Sequence, residues 1–178
     1  MKPFIFDTMK EIIGDAKCKF IGEIGTHKGG TAQQLIYLLA PRVDKLVYWG
    51  YDIFDGDNPN LELRKIERNG KSQPTYTQAE YAFNKISKRI PNLEYKLHVG
   101  FTTDTLKPTK FDFVWIDGGH SYDTVKHDYN MVKDSKLMIF DDVKIPGVHK
   151  FVHELIDQGV DVEIVKTDSK KIWAVIRN

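Results

Sequence analysis

Cysteine is nearly absent from this chain. Its single copy, Cys18, leaves no partner for an internal disulfide and fits a reducing, intracellular setting. Cys18 stands just before an apolar run, so it reads as a buried structural thiol rather than a nucleophile. An excess of charge of one sign is missing too. The 26 lysines and arginines face 25 aspartates and glutamates with no block of like charge, which argues against nucleic acid and anionic membrane as partners. No apolar run approaches membrane-spanning length. Asp7, Lys10 and Glu11 break up the N-terminal apolar residues before a signal-peptide core can form. Zinc spacing is lacking: His120 and His127 are seven residues apart, with no cysteine or further histidine at helical ligand distance. Internal repeats, low-complexity tracts and any break in composition that would mark a domain boundary are absent as well. These absences lead us to expect one soluble, cytoplasmic domain over residues 1–178. Whether it forms a homo-oligomer is open.

What is present centres on Phe20-Ile21-Gly22-Glu23-Ile24-Gly25-Thr26-His27-Lys28-Gly29-Gly30-Thr31. An apolar run ends in an acid, and a glycine-broken turn then opens a helix. Ala32, Leu35, Ile36 and Leu39 have the spacing of one buried helical face. Such a turn offers free N–H groups and a partial positive charge to a ligand, and glycines let that ligand approach closely. By itself the stretch also suits an ordinary strand-to-helix turn.

Along the chain, Phe6, Met9, Ile13 and Ala16 predict an opening helix over residues 4–16, with Gly14-Asp15 able to end it early. Phe20–Ile24 reads as the first strand, Gly30–Ala40 as a helix closed by Pro41, and Leu46–Tyr51 as the second strand with Asp52 at its end. Phe54–Tyr76 is irregular, with turns at Asp55–Pro59 and Asn69-Gly70 around a short charged helix at Leu61–Arg68. A connection of that length in a compact fold is more often a lid or binding segment than idle chain. Thr77-Gln78-Ala79-Glu80 has capping-box form and opens a helix that Pro91 terminates. Leu93–Val99, Phe111–Ile116 and Leu137–Phe140 predict three more strands. Helices from about Ser121 and through Val148–Ile156 alternate with them. Val162–Lys166 and Ile172–Arg177 close the chain as a hairpin joined by a short polar connection. The alternation predicts an α/β fold, a doubly wound, mostly parallel sheet with helices on both faces.

The functional signal lies in where the acids fall. Glu23, Asp52, Asp117 and the pair Asp141-Asp142 each end or follow an apolar strand. In an open α/β sheet those strand ends line one crevice, and carboxylates crowded there call for a cation or hydrogen-bond donors. Asp52 lies 22 residues after Gly30, the placement of an acid that accepts hydrogen bonds from a ribose, although a strand-terminal cap would look the same. Asp117, Asp141 and Asp142 are candidate ligands of a hard divalent cation. Alternatively, Asp141 or Asp142 caps the next helix or pairs with Lys144. His120 is either a general base or a helix-entry residue that holds its loop. His27 and Lys28 read as solvated loop residues. Phe101, just past the third strand, either packs in the core or lies on a flat ring.

Glu23 through Thr31 resembles motif I of class I S-adenosylmethionine-dependent methyltransferases, and Tyr51-Asp52-Ile53 resembles their second, acidic motif. Phe111 through Tyr122, containing Asp117-Gly118-Gly119-His120-Ser121-Tyr122, is more specific. With the later Ile139-Phe140-Asp141-Asp142 it is similar to the macrocin O-methyltransferase and cephalosporin-hydroxylase-like group of small-molecule enzymes. The resemblance covers residues 18–177 and implies a Rossmann-like domain with a seven-stranded sheet of order 3-2-1-4-5-7-6, its seventh strand antiparallel. It further implies S-adenosylmethionine as cofactor. Glu23, Gly25, Thr26 and Gly29 would surround its methionine part, and Asp52 with Ile53 its ribose. Asp117 would lie near the sulfonium and, with Asp141 and Asp142, hold Mg²⁺ or a similar divalent cation. The family often has Gly-Asp-Ser after the third strand. Here Gly100-Phe101-Thr102 stands instead, so Phe101 and Thr102 are left to meet the adenine. The implied reaction is O-methylation of a small hydroxylated molecule, with Asp117 and His120 as the catalytic pair and the cation assisting. The rivals are a nicotinamide-dependent oxidoreductase, disfavoured because the first turn lacks Gly-x-Gly-x-x-Gly, and a non-catalytic nucleotide-binding module.

Overall fold

A computed structural model describes residues 3–56, 74–167 and 170–178. The predicted Leu61–Arg68 helix and Asn69-Gly70 turn fall outside these residues. Helix α1 (Pro3–Ile13) leads into strand β1 (Phe20–Ile24), helix α2 (Gly30–Leu39) and β2 (Leu46–Asp52). Next come α3 (Tyr76–Ser87), β3 (Leu93–Val99), a four-residue α4 (Thr102–Thr105) and β4 (Phe113–Ile116). Helix α5 (Tyr122–Val132), β5 (Leu137–Phe140), α6 (Pro146–Asp157), β6 (Val162–Lys166) and β7 (Ile172–Arg177) complete the chain. The strands form one seven-stranded sheet in the order β3-β2-β1-β4-β5-β7-β6. β1 to β5 pair in parallel, whereas β7 runs antiparallel to both β5 and β6. The order reverses between β1 and β4, so a crevice opens beyond their carboxyl ends.

The sheet is buried on both faces because alternate strand residues face opposite ways. Ile21, Tyr48, Phe113, Trp115 and Ile139 pack on one side under α1, α2 and α3, through residues such as Met9, Leu35 and Phe83. Ile24, Val114, Ile116, Met138 and Phe140 pack on the other side under α5 and α6, through Val125, Val148 and Phe151. Each large apolar side chain buried in this way stabilises the fold by about 1.5–3 kcal/mol. Cys18 is buried, and burial pushes its thiol up to about 11, as a structural cysteine requires.

Several boundaries differ from the sequence reading: α1 stops at Ile13, before Gly14-Asp15, and α3 stops at Ser87, short of Pro91. The third helix is capped by Thr75, not Thr77: Thr75 Oγ1 accepts from Gln78 N at 3.1 Å, and Gln78 Oε1 accepts from Thr75 N at 3.4 Å. Thr75-Tyr76-Thr77-Gln78 carries the same pattern two residues earlier, and the chain uses it. The helix after the first turn stops at Leu39, because Pro41 tightens residues Ala40–Arg42 into a 3₁₀ turn. The fourth strand begins at Phe113 instead of Phe111, since Asp112 turns its side chain back onto the start of β1. Asp112 Oδ2 accepts from Lys19 N at 2.8 Å and from Phe20 N at 3.0 Å, and Lys136 Nζ lies 2.7 Å from Oδ1.

Burial works against the Asp112 charge, but the Lys136, Phe20 and Lys19 donors outweigh it and hold the carboxyl below its usual range. A depressed carboxylate adds stability that is full above the unfolded value and lost as pH falls through the folded one. Asp112→Ala is therefore expected to cost about 1–3 kcal/mol in urea unfolding at neutral pH. The gap from wild type should narrow below about pH 4.

Candidate functional site

The carboxyl ends of β1, β2 and β4 surround a cavity of about 490 Å³, which suits a nucleoside-sized ligand. The turn after β1 forms its floor. Gly25 N and Thr26 N donate to the Tyr51 carbonyl at 2.8 and 3.2 Å, tying that turn to the end of β2. His27 N donates to Asp52 Oδ2 at 2.8 Å, and Phe54 N donates to Asp52 Oδ1 at 3.1 Å. Asp52 is thus held at the cavity wall by two backbone donors, with lone pairs remaining on both oxygens. Gly25, Thr26, Ile53, Phe101 and Thr102 line the same cavity, and Phe101 is exposed there. Tyr51, whose ring stacks on His98 at 4.4 Å, adds an aromatic wall that the sequence reading left out. His27 is exposed in the turn, as a solvated loop residue should be, and it also borders the cavity.

Two of the expected cofactor contacts belong beneath the cavity. Glu23 is buried and does not line it; the Tyr48 hydroxyl donates to its Oε2 instead. Burial pushes the Glu23 carboxyl well above the usual carboxylate range despite that hydrogen bond. Glu23 shares the sheet face of Ile21, as strand alternation requires, and so turns under the motif rather than towards a ligand. Gly29 likewise serves packing. It opens α2 in the left-handed conformation (φ 78°), and a Cβ there would lie 2.8 Å from the Phe83 ring.

The far wall gathers the remaining acids. Asp117 and His120 follow β4, and Asp142 follows β5. His120 Nε2 lies 3.9 Å from Asp117 Oδ1 and 3.6 Å from Asp142 Oδ2. Asp117, His120 and Asp142 each offer an atom within 4.8 Å of the others, a possible three-ligand group. Asp141, expected among the metal ligands, is not part of it. The Trp173 indole donates to Asp141 Oδ1 at 2.9 Å, Asp142 N donates to the same oxygen at 2.7 Å, and the Lys171 ammonium donates to Oδ2. Burial and the nearby Asp117 raise the Asp141 carboxyl, with Lys171 opposing them. Nor does Asp141 or Asp142 pair with Lys144, which donates to the Lys170 carbonyl at 2.8 Å.

Lys171, in the polar connection before β7, also lines the cavity. The antiparallel register explains its place. Phe140 of β5 faces Ala174 of β7, so residues just before β7 fall beside residues just after β5. Burial disfavours the ammonium, but Asp141 and Asp142 outweigh burial and raise its proton affinity.

A family described as a methyltransferase domain matches residues 23–143. The chain belongs to this methyltransferase family. The curated proteins contain no match to it. Among solved structures the methyltransferase is similar to a protein assigned as a caffeoyl-CoA O-methyltransferase from Staphylococcus aureus. That pair has a TM-score of 0.63 and 15% identity over 98% of this chain and 83% of the other. An O-methyltransferase from Bacillus cereus in complex with S-adenosylhomocysteine aligns with a TM-score of 0.61 and 15% identity, over 100% and 82% of the two chains. The O-methyltransferase TomG from Streptomyces achromogenes, in complex with S-adenosylmethionine, aligns with a TM-score of 0.59 and 18% identity, over 98% and 78%. At these identities the structures establish the shared fold. Family membership makes this chain an S-adenosylmethionine-dependent methyltransferase. Among its described residues no helix is long and apolar enough to cross a membrane.

Proposed function

We propose that residues 1–178 form one Rossmann-like domain that transfers the methyl group of S-adenosylmethionine to a hydroxyl of a small molecule. The observation that carries this reading is one cavity with two chemically distinct walls. On one side Asp52, Ile53, Phe101 and Thr102 offer a diol acceptor and a flat apolar edge, matched to ribose and adenine. Gly25 and Thr26 lie beside the methionine part. On the other side Asp117 and His120 stand where the sulfonium and an acceptor would meet. The names of the structural neighbours, O-methyltransferases, favour oxygen as the nucleophile.

Transfer from a sulfonium is an in-line displacement, so alignment supplies much of the rate. The acceptor oxygen donates an electron pair to the methyl carbon, the carbon–sulfur bond breaks, and its pair returns to sulfur as a neutral thioether. The hydroxyl proton passes to His120, and Asp117 and Asp142, 3.9 and 3.6 Å from its Nε2, stabilise the imidazolium. No divalent cation takes part in the proposed reaction. Asp141 is engaged by Lys171, Trp173 and its own neighbour, and a lysine ammonium lies 3.4 Å from Asp142 Oδ1.

The experiment is incubation with methyl-labelled cofactor and a panel of sugars, catechols and amines. Label is expected on hydroxylated acceptors, and label confined to amines would contradict the reading. With any accepted hydroxyl, His120→Ala should lower kcat about a hundredfold or more while S-adenosylhomocysteine still binds.

A further inference from the structure

We propose that Lys171 is the resident cation of this site, holding the acceptor oxygen in the place a divalent metal would otherwise occupy. The inference rests on the methyl-transfer reading above. Three acids, Asp117, Asp141 and Asp142, converge at the strand ends, and crowded carboxylates require a positive partner. That partner is already built into the chain. The Lys171 ammonium donates to Asp141 Oδ2 and lies 3.4 Å from Asp142 Oδ1. An ammonium has three donors; among the described residues Asp141 takes one as a hydrogen bond, and Asp142 stands at ion-pair range. A further donor is available to an oxygen in the cavity that Lys171 lines together with Asp117 and His120.

The position of Lys171 is fixed by its backbone as well as by its charge. Lys171 N donates to Thr167 Oγ1 at 3.1 Å, and Thr167 N donates to the Lys171 carbonyl at 2.9 Å. Thr167 is itself buried. Asp141 in turn is held by the Trp173 indole from the next strand. The Lys171 backbone is therefore anchored to Thr167 at the end of β6.

A divalent ion bound to Asp117, His120 and Asp142 would face this positive charge at close range. In the methyl-transfer step Lys171 keeps all its protons. It donates a hydrogen bond to the acceptor oxygen while that oxygen passes its proton to His120 and attacks the methyl carbon. The geometry makes Lys171 the counterpart of a metal's charge, without open coordination positions.

Electron paramagnetic resonance titration with Mn²⁺, on wild type, Lys171→Arg and Lys171→Met, tests the proposal. Lys171→Met is expected to bind Mn²⁺ about tenfold or more tightly than wild type, because removing the ammonium frees the acids for a metal. Lys171→Arg should stay as weak as wild type. Wild-type methyl transfer should be unchanged by a chelator. Mn²⁺ bound by wild type as tightly as by Lys171→Met would overturn the proposal. If Lys171→Met does not fold, wild type decides alone: millimolar binding supports the proposal and micromolar binding overturns it. S-adenosylhomocysteine titrations of the same samples report the cofactor reading separately, so its failure would not be mistaken for failure of the Lys171 assignment.

Discussion

Gly25→Ala is expected to destabilise the protein by several kcal/mol and to abolish S-adenosylhomocysteine binding in calorimetric titration. Gly25 has a φ of 89°, and a Cβ there would lie 2.0 Å from the Asp117 carbonyl oxygen and 2.9 Å from Gly118 N. Both contacts are with backbone, so no side chain can swing aside. The left-handed conformation costs an alanine about 1–2 kcal/mol, and pushing β4's exit away costs about 1–3 kcal/mol more. The damage also reaches the chemistry. Gly25 N is bonded to the Tyr51 carbonyl at 2.8 Å, so any shift of the turn moves the end of β2 as well as Asp117. Wild-type affinity in this variant would show that the turn does not form the cofactor floor.

Asp52→Ala is expected to weaken S-adenosylhomocysteine binding about a hundredfold or more, since two charge-assisted hydrogen bonds to a ribose are each worth about 1.5–3 kcal/mol. The side chain is well prepared for that role. Its two oxygens already accept from His27 N and Phe54 N at 2.8 and 3.1 Å, which fixes the carboxylate before a ligand arrives. Removing it also leaves those two donors without their acceptor, and the β2 exit should loosen. Asp52→Asn retains one acceptor oxygen and should lose less affinity than Asp52→Ala. Affinity within about threefold of wild type in Asp52→Ala would move the ribose elsewhere.

Much of this arrangement was legible in the sequence, for identifiable reasons. The nearly all-apolar runs of β4 and β5 can only be strands buried on both faces, and the structure buries them so. The strand order came from resemblance to the methyltransferases rather than from spacing, because alternation alone does not say which side of β1 each later strand joins. The acids at the strand ends were visible as positions, but not as orientations. Glu23 lies one strand residue from the cavity and yet turns towards Tyr48, which its sharing a face with Ile21 could have signalled. Asp141 and Asp142 are adjacent and look equivalent, but the antiparallel β7 brings Trp173 and Lys171 to Asp141. That contact spans 30 residues and no local pattern encodes it. Helix α4 is one turn long and leaves no periodicity to detect. Phe101 and Thr102, read from a departure in the family's motif, do stand at the cavity.

The most direct test of the account is thermal unfolding of the wild-type protein with S-adenosylmethionine, with NAD⁺ as the control. At about a hundredfold excess over its dissociation constant, a bound ligand adds ~2.7 kcal/mol, a shift of roughly 5–11 °C for a chain of this size. The cavity described here predicts that shift with S-adenosylmethionine and none with NAD⁺. A shift with NAD⁺ alone would contradict it.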